Sequence, residues 1–281
     1  MKAVLIPTDF SNNAMHAINY ALQLYNCEIT HFYFLHAFAD EVYNSVESKT
    51  ALTVTQKKIT LQKKSEEQLG DLITKIETEK HNPKHKYESI AVFDSLVDAV
   101  NDFTDKINID LIIMGTKGIS DVKKVTFGSH TVQVFKYVKC PVLAVPETYH
   151  YNQPKHILFP TDYSLPYRRR ELKLLNTIAA EFKSKVFCLH ISDFEELSQR
   201  QIDNKRFLEE SLSKAYLSFN RTPVKNKVEA IMDTIDEKKI DLLVMVNSRH
   251  SFLEDMLYRS TIDKIGLHIK IPFLVLQNLP R

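Results

Sequence analysis

Short apolar runs punctuate the chain, at Ala3–Ile6, Phe32–Leu35, Leu111–Met114 and Val142–Val145. Their near-continuous hydrophobicity is that of strands covered on both faces. Between them the apolar positions switch to helical spacing. Ala14, Ala17, Ile18, Ala21 and Leu22 form one stripe, with Ser11 placed as its N-cap, and Leu69, Leu72, Ile73 and Ile76 form another. The second stripe lies on a helix whose other faces are rich in Lys, Glu and Gln, which reads as a solvated surface. Alternating strands and helices predict a parallel, doubly wound α/β sheet, because right-handed crossovers place helices on both faces.

The pattern occurs twice. Val4-Leu-Ile-Pro-Thr-Asp-Phe-Ser11 is echoed by Ile157-Leu-Phe-Pro-Thr-Asp-Tyr-Ser164, Phe34-Leu-His36 by Cys188-Leu-His190, Asp110–Met114 by Asp241–Met245, and Cys140–Val145 by Ile271–Leu276. The chain is therefore read as two tandem domains, 1–149 and 154–281, each a mainly parallel five-stranded sheet. The polar stretch Glu147–Pro154 supplies the seam, and Ser164 is expected to cap its helix as Ser11 does. The offset between copies is 153 at Asp9/Asp162 but 131 at Asp110/Asp241, so the first copy holds about 22 extra residues, roughly within 40–90.

Composition narrows the classes of function. The 281 residues are 44% hydrophobic, enough for a substantial core, and a formal charge of +2 creates no field to recruit nucleic acid or an anionic membrane. No apolar run approaches the roughly 18 residues of a membrane span. The start, Met1-Lys-Ala-Val-Leu-Ile-Pro-Thr-Asp9, is too short in apolar residues for a secretion signal. Cys27, Cys140 and Cys188 form no C-x-x-C pair, and a reducing cytoplasm is the expected setting.

Three of the five glycines fall in Met114-Gly-Thr-Lys-Gly-Ile-Ser-Asp-Val-Lys-Lys-Val-Thr-Phe-Gly-Ser-His-Thr131. Glycine serves where backbone takes positive φ or approaches a ligand closely, so Gly115, Gly118 and Gly128 suggest an oxyanion cradle. Gly128 and Ser129 would open a helix whose first-turn amides favour an anion. The loop lacks the Gly-Lys-Ser/Thr of a Walker sequence and the G-x-G-x-x-G spacing. Pro7-Thr8-Asp9 ends the first strand as Met114-Gly115 ends the fourth, where doubly wound sheets bind ligands.

Together the Pro-Thr-Asp openings and the Gly115-x2-Gly118-x9-Gly128-Ser129 spacing resemble a tandem universal stress protein carrying that family's ATP signature in its first half. The resemblance implies adenosine contacts from Pro7, Thr8, Asp9 and Ala37. It implies ribose and phosphate contacts from Met114, Gly115, Lys117, Gly118, Gly128, Ser129, His130 and Thr131, with Lys117 standing where the family often has His or Arg. ATP is the implied ligand, alone or with Mg2+. Single-domain members commonly pair through the last strand, so the two halves are expected to form an intrachain pseudo-dimer through Val142–Val145 and Phe273–Leu276; further homodimerisation stays open.

Asp9 also has a reading as a plain helix-capping acid, Thr8 as a turn former, and His36 and His190 as structural. In the second copy Val246, Arg249 and Arg259 replace the three glycines, leaving Ser260 and Thr261. Ordinary ATP binding is not expected there, although one arginine suits pairing with Asp162 or the two together a small anion; the Arg168-Arg-Arg170 run reads as solvated helix residues, with phosphate or an acidic partner as the alternative. No Ser/His/Asp order, paired acids or metal-ligand cluster stands out, so no catalytic residue is assigned. A regulatory nucleotide binder with at most slow hydrolysis is the leading reading. A non-nucleotide scaffold and a true ATPase or phosphotransferase are its rivals.

Overall fold

A computed structural model describes residues 1–45, 51–117, 127–223, 227–248, 253 and 269–278, with the backbone alone at Ala51 and Leu52. The chain divides into two compact units, one reaching Val142 and the other starting at Leu143. In chain order the first half holds β1 (Lys2–Pro7), α1 (Asn12–Leu24), β2 (Thr30–Ala37), α2 (Ala39–Asn44), α3 (Ala51–Glu79), β3 (His85–Val92), α4 (Leu96–Lys106), β4 (Leu111–Gly115), α5 (Ser129–Tyr137) and β5 (Val142–Val145). The second half follows with β6 (His156–Thr161), α6 (Arg169–Phe182), β7 (Lys185–Ile191), α7 (Gln199–Ser211), β8 (Tyr216–Thr222), α8 (Lys227–Lys238), β9 (Leu242–Asn247) and β10 (Phe273–Gln277).

Each half is the α/β doubly wound arrangement expected. In the first unit the strands run β3-β2-β1-β4, all parallel, with Val4 opposite both Phe32 and Leu111. In the second the order is β10-β9-β6-β7-β8, again parallel. Strand order thus reverses beside β1 and beside β6, which opens a crevice at the carboxyl ends of those strands. Val4, Leu5, Ile6, Phe32, Phe34, Leu111, Ile112 and Ile113 are almost wholly buried, which is why these runs lack polar alternation.

The repeated Asp-Leu motif sets the register of the central strands. Asp110 donates its N–H to the Ala3 carbonyl at 2.9 Å and accepts Ala3 N–H on Oδ2 at 2.9 Å. Asp241 repeats the exchange with His156, at 2.8 and 2.9 Å, and its Oδ1 also takes the Asn152 amide at 2.7 Å. A carboxylate at the base of β4 and β9 therefore locks each to the strand across the switch point.

Between β2 and β3 the extra residues of the first copy build α2 and the 29-residue α3, where the second copy has only the 13-residue α7. The stripe on α3 is buried at Leu69, Leu72 and Ile76, extends to Leu61, and leaves Ile73 at its edge.

Ser11 caps α1 as expected, accepting Ala14 N–H at 3.2 Å. Ser164 does not cap α6. The helix starts four residues later, after Arg168, whose N–H is taken by Glu171 Oε2 at 3.1 Å. Leu165, Pro166 and Tyr167 lengthen the loop, and proline beside the expected start favours extended backbone in the residue before it.

Candidate functional site

The β1–α1 turn is built from its own side chains. Thr8 Oγ1 accepts Phe10 N–H at 3.1 Å and Asp9 Oδ1 accepts Ser11 N–H at 3.1 Å, while Phe10 sits at φ 60°. One Asp9 oxygen therefore holds the turn in the way the capping reading required. His36, at the end of β2, donates from Nδ1 to the Thr8 carbonyl at 2.8 Å, and its ring lies 4.9 Å from that of Phe10. This is the structural role expected of it. Ala37 follows, half-buried, beside Val92 of β3.

Across the crevice, Met114 and Gly115 end β4, and both are buried. Gly128 N–H donates to the Thr116 carbonyl at 2.8 Å, and the Thr131 hydroxyl lies 3.3 Å from the Gly115 carbonyl and 3.1 Å from that of Thr116. These bonds draw the start of α5 onto the end of β4. Gly128 is the N-cap at φ −66°, and no described glycine has positive φ. Ser129 and His130 are exposed in the first turn, where helix geometry leaves backbone N–H groups without intrahelical acceptors. Gly118 lies outside the described residues.

Two polar side chains at this place have no precedent in the sequence reading. Asn13, in the first turn of α1, is buried, and its Nδ2 donates to the Lys117 carbonyl at 3.0 Å. Its Oδ1 is buried with no hydrogen-bond partner. A Cβ added to Gly115 would stand 2.8 Å from Asn13 Cγ and Oδ1, so the close approach that demands glycine here is to Asn13. The second is Asp40 on α2, whose Oδ2 lies 3.3 Å from His130 Nε2. Its neighbour Glu41 stands 3.1 Å from His36 Nε2. No local pattern marks either residue, because both act on parts of the chain distant in sequence.

The second half repeats the turn and adds a second buried ring at the end of β6. Tyr163 takes φ 57°, accepts the Asn204 amide at 2.7 Å and stacks on His190 at 5.0 Å. Tyr167, brought in by the lengthened loop, is buried, and its hydroxyl lies 2.5 Å from Thr161 Oγ1. Burial pushes the phenols of Tyr163 and Tyr167 well above their ordinary range. The signal for Tyr167 was present: aligning Ile18, Ala21 and Leu22 with Leu175, Ile178 and Ala179 exposes the four added residues. Val246 is buried as the penultimate residue of β9; Arg249, Arg259, Ser260 and Thr261 lie outside the described residues. Arg168, Arg169 and Arg170 are exposed at the start of α6.

His190 gives the second half a pH dependence. Nδ1 donates to the Thr161 carbonyl at 3.3 Å, whereas Nε2 is buried without a partner. Burial lowers the pKa below 6.5, since a second proton would find no acceptor. The unfolded chain therefore takes up the proton first, and stability falls as pH drops below 6.5 until the folded imidazole itself titrates. His31, also lowered chiefly by burial, acts in the same sense. Urea unfolding should show a lower midpoint at about pH 5.5 than at about pH 7.5, and His190→Gln should narrow the gap. An undiminished gap in that variant would assign the effect elsewhere.

The sequence pattern of the universal stress protein family matches residues 1–146 and again residues 154–277. The chain belongs to the universal stress protein family, as a tandem two-domain member. No curated protein matches the sequence. Among solved structures, a universal stress protein from Archaeoglobus fulgidus DSM 4304 superimposes with a TM-score of 0.68 at 19% identity, covering 98% of this chain and 96% of that one. A functionally unknown protein from Pseudomonas aeruginosa PAO1 gives 0.58 at 14% identity, covering 99% and 92%. At these identities the likeness is one of fold. No described helix is long and apolar enough to cross a membrane.

Proposed function

We propose that the first half binds an adenine nucleotide, ATP in the first instance, at the carboxyl ends of β1 and β4, and that the protein is a cytoplasmic regulator whose occupancy reports or changes its state. The observation that carries this reading is the α5 N-terminus, drawn by Gly128 N–H and the Thr131 hydroxyl onto the end of β4, opposite Asp9 at the switch point. Pro7, Thr8, Asp9 and Ala37 would line the adenosine side. Met114, Lys117, Gly118, Ser129 and His130 would line the ribose and phosphates.

The fit is selective. Gly128 N–H and the Thr131 hydroxyl are already engaged with Thr116 and Gly115, so the phosphates would draw on first-turn amides and on the Lys117 and His130 side chains. Among the described residues no group of three His, Cys, Asp or Glu is disposed to hold a metal. Any Mg2+ would therefore arrive with the phosphates, with Asp9 as the nearest carboxylate of the turn. Hydrolysis is no part of the proposal beyond a slow background.

Calorimetry on nucleotide-stripped protein should give about one ATP per chain, because only the first half retains the glycine loop. Gly118→Arg, which imposes the residue of the second copy, should abolish that heat while leaving thermal unfolding unchanged. No binding, or two equal sites, would overturn the proposal.

Asp40 supplies a subtler check. Its carboxylate lies beside His130 at the start of α5, where it competes with phosphate for the imidazole and repels it. Both groups are about half exposed, so Asp40→Asn should tighten ATP by only about twofold to threefold, as exposed pairs allow. Weakened binding would show instead that Asp40 supports the site.

A second reading has its own observation. Gly115 is required by Asn13 and Gly128 is used as a cap, so both glycines have reasons within the fold. That favours a scaffold in which the nucleotide loop is retained architecture. Mass spectrometry of ligand carried through native purification separates the two, since a co-purified adenine nucleotide belongs only to the first.

A further inference from the structure

At the opposite end of the first unit, away from the carboxyl ends of the strands, an open surface pocket of about 600 Å³ lies between the last turn of α1, the end of α3 and the start of β3. That volume suits a small ligand. Its lining carries two ammonium groups, Lys80 and Lys84, two imidazoles, His81 and His85, and four side-chain amides, with Leu22 and Pro83 as the apolar part. No carboxylate is among these residues.

The wall is built before any ligand arrives. Asn82 Nδ2 donates to the Asn26 carbonyl at 2.9 Å, Asn82 Oδ1 accepts Lys84 N–H at 3.0 Å, and His85 N–H closes onto the Asn82 carbonyl at 3.0 Å. His85 Nε2 is held 3.0 Å from the Tyr25 carbonyl. This turn presents Lys84 and His85 from a fixed backbone. The hydrogen-bond partners of the two ammoniums are neutral oxygens, Asn19 Oδ1 for Lys80 and the Cys27 carbonyl, at 2.9 Å, for Lys84. Neither charge is neutralised by an acid among the described residues.

The duplicated half is built differently at the corresponding place. Asn176 occupies on α6 the place Asn19 holds on α1, and there its Oδ1 accepts Lys214 N–H directly at 3.1 Å. In the first half the side chain of Lys80 spans the corresponding gap, and the sequence Lys80-His-Asn-Pro-Lys-His-Lys86 has no counterpart around Lys214.

We propose that this pocket is a second ligand site, independent of the nucleotide, that takes a small organic oxyanion bearing phosphate or carboxylate groups. The ammoniums of Lys80 and Lys84 supply charge-assisted donors, the His81 ring and the Gln23 amide supply further ones, and His85 and Asn82, whose polar atoms are engaged in the turn, hold the wall. The helix C-termini at its rim contribute negative partial charge, so selectivity rests on these side chains.

The test is a titration of the full-length chain with pyrophosphate and, separately, citrate, in about 0.15 M chloride to screen loose association. Amide resonances of Asn19, Gln23, Asn26 and Asn82 are followed by NMR. Saturable shifts there with pyrophosphate identify a phosphate ligand, and with citrate alone a carboxylate. Lys80→Gln with Lys84→Gln should weaken the effective probe by at least about tenfold, and Gln23→Glu, which puts a carboxylate in the lining without touching the lysines, should do the same. Shifts absent with both probes, or unaltered in both variants, overturn the site. Gly118→Arg should leave it intact.

Discussion

Gly115→Ala should destabilise the first half by about 1–3 kcal/mol and abolish nucleotide binding, although alanine is the smallest change available. The new Cβ would meet Asn13 Cγ and Oδ1 at 2.8 Å, and Asn13 is too well buried to swing aside. Asn13 in turn has little freedom, since its Nδ2 holds the Lys117 carbonyl where the chain leaves β4. Removing Asn13 alone costs less than its burial suggests. Asn13→Ala loses one hydrogen bond but also removes a buried Oδ1 acceptor that has no partner, and the two terms, each about 1–2 kcal/mol, largely cancel. The double variant should therefore recover most of the stability lost in Gly115→Ala, giving a coupling of about 1–3 kcal/mol in urea unfolding. Simple additivity would mean that the glycine is needed for something other than Asn13. If the double variant regains stability yet still fails to bind ATP, Asn13 acts on the ligand through the Lys117 backbone as well as on the fold.

That relationship explains why part of the site was legible in the sequence and part was not. Strands covered on both faces and helices with one apolar stripe write their periods into the chain, and duplication writes them twice. The family could thus be read from Pro7-Thr8-Asp9 and the glycine spacing. Those glycines were read as room for phosphate because a missing Cβ signals proximity without saying to what. At Gly115 the neighbour is Asn13, about a hundred positions away, joined only once β4 pairs with β1. Asp40 and His130 meet by the same kind of long-range placement, through a short helix in the region where the copies differ most. Tyr167 was missed for a different reason. The motif Pro-Thr-Asp-aromatic-Ser matches so closely in both copies that the helix start was carried over with it, whereas the apolar stripe of α6 begins four residues later.

Tyr167 is also where the divergence of the two halves can be measured. Tyr167→Ala should cost the second half about 3 kcal/mol or more, the range of truncating a large buried ring, because the side chain packs 5.8 Å from Phe159 and its hydroxyl holds Thr161. Tyr167→Phe should cost only about 1 kcal/mol, since Thr161 Oγ1 still accepts Tyr163 N–H at 2.9 Å. Hydrogen exchange at the amides of Leu158 and Phe187 reports this unit separately from the first. A small loss in the alanine variant would mean that the ring is dispensable to the packing at the end of β6. The larger point concerns binding. Removing the ring should not create a second ATP site, because Val246, Arg249 and Arg259 still stand where glycine is required. Restoring those glycines with Tyr167 in place should fail equally, as the buried ring remains at the end of β6. Calorimetry on the combined variant, glycines restored and Tyr167 removed, therefore tests whether two independent changes closed the second half; binding regained by either change alone would reduce them to one.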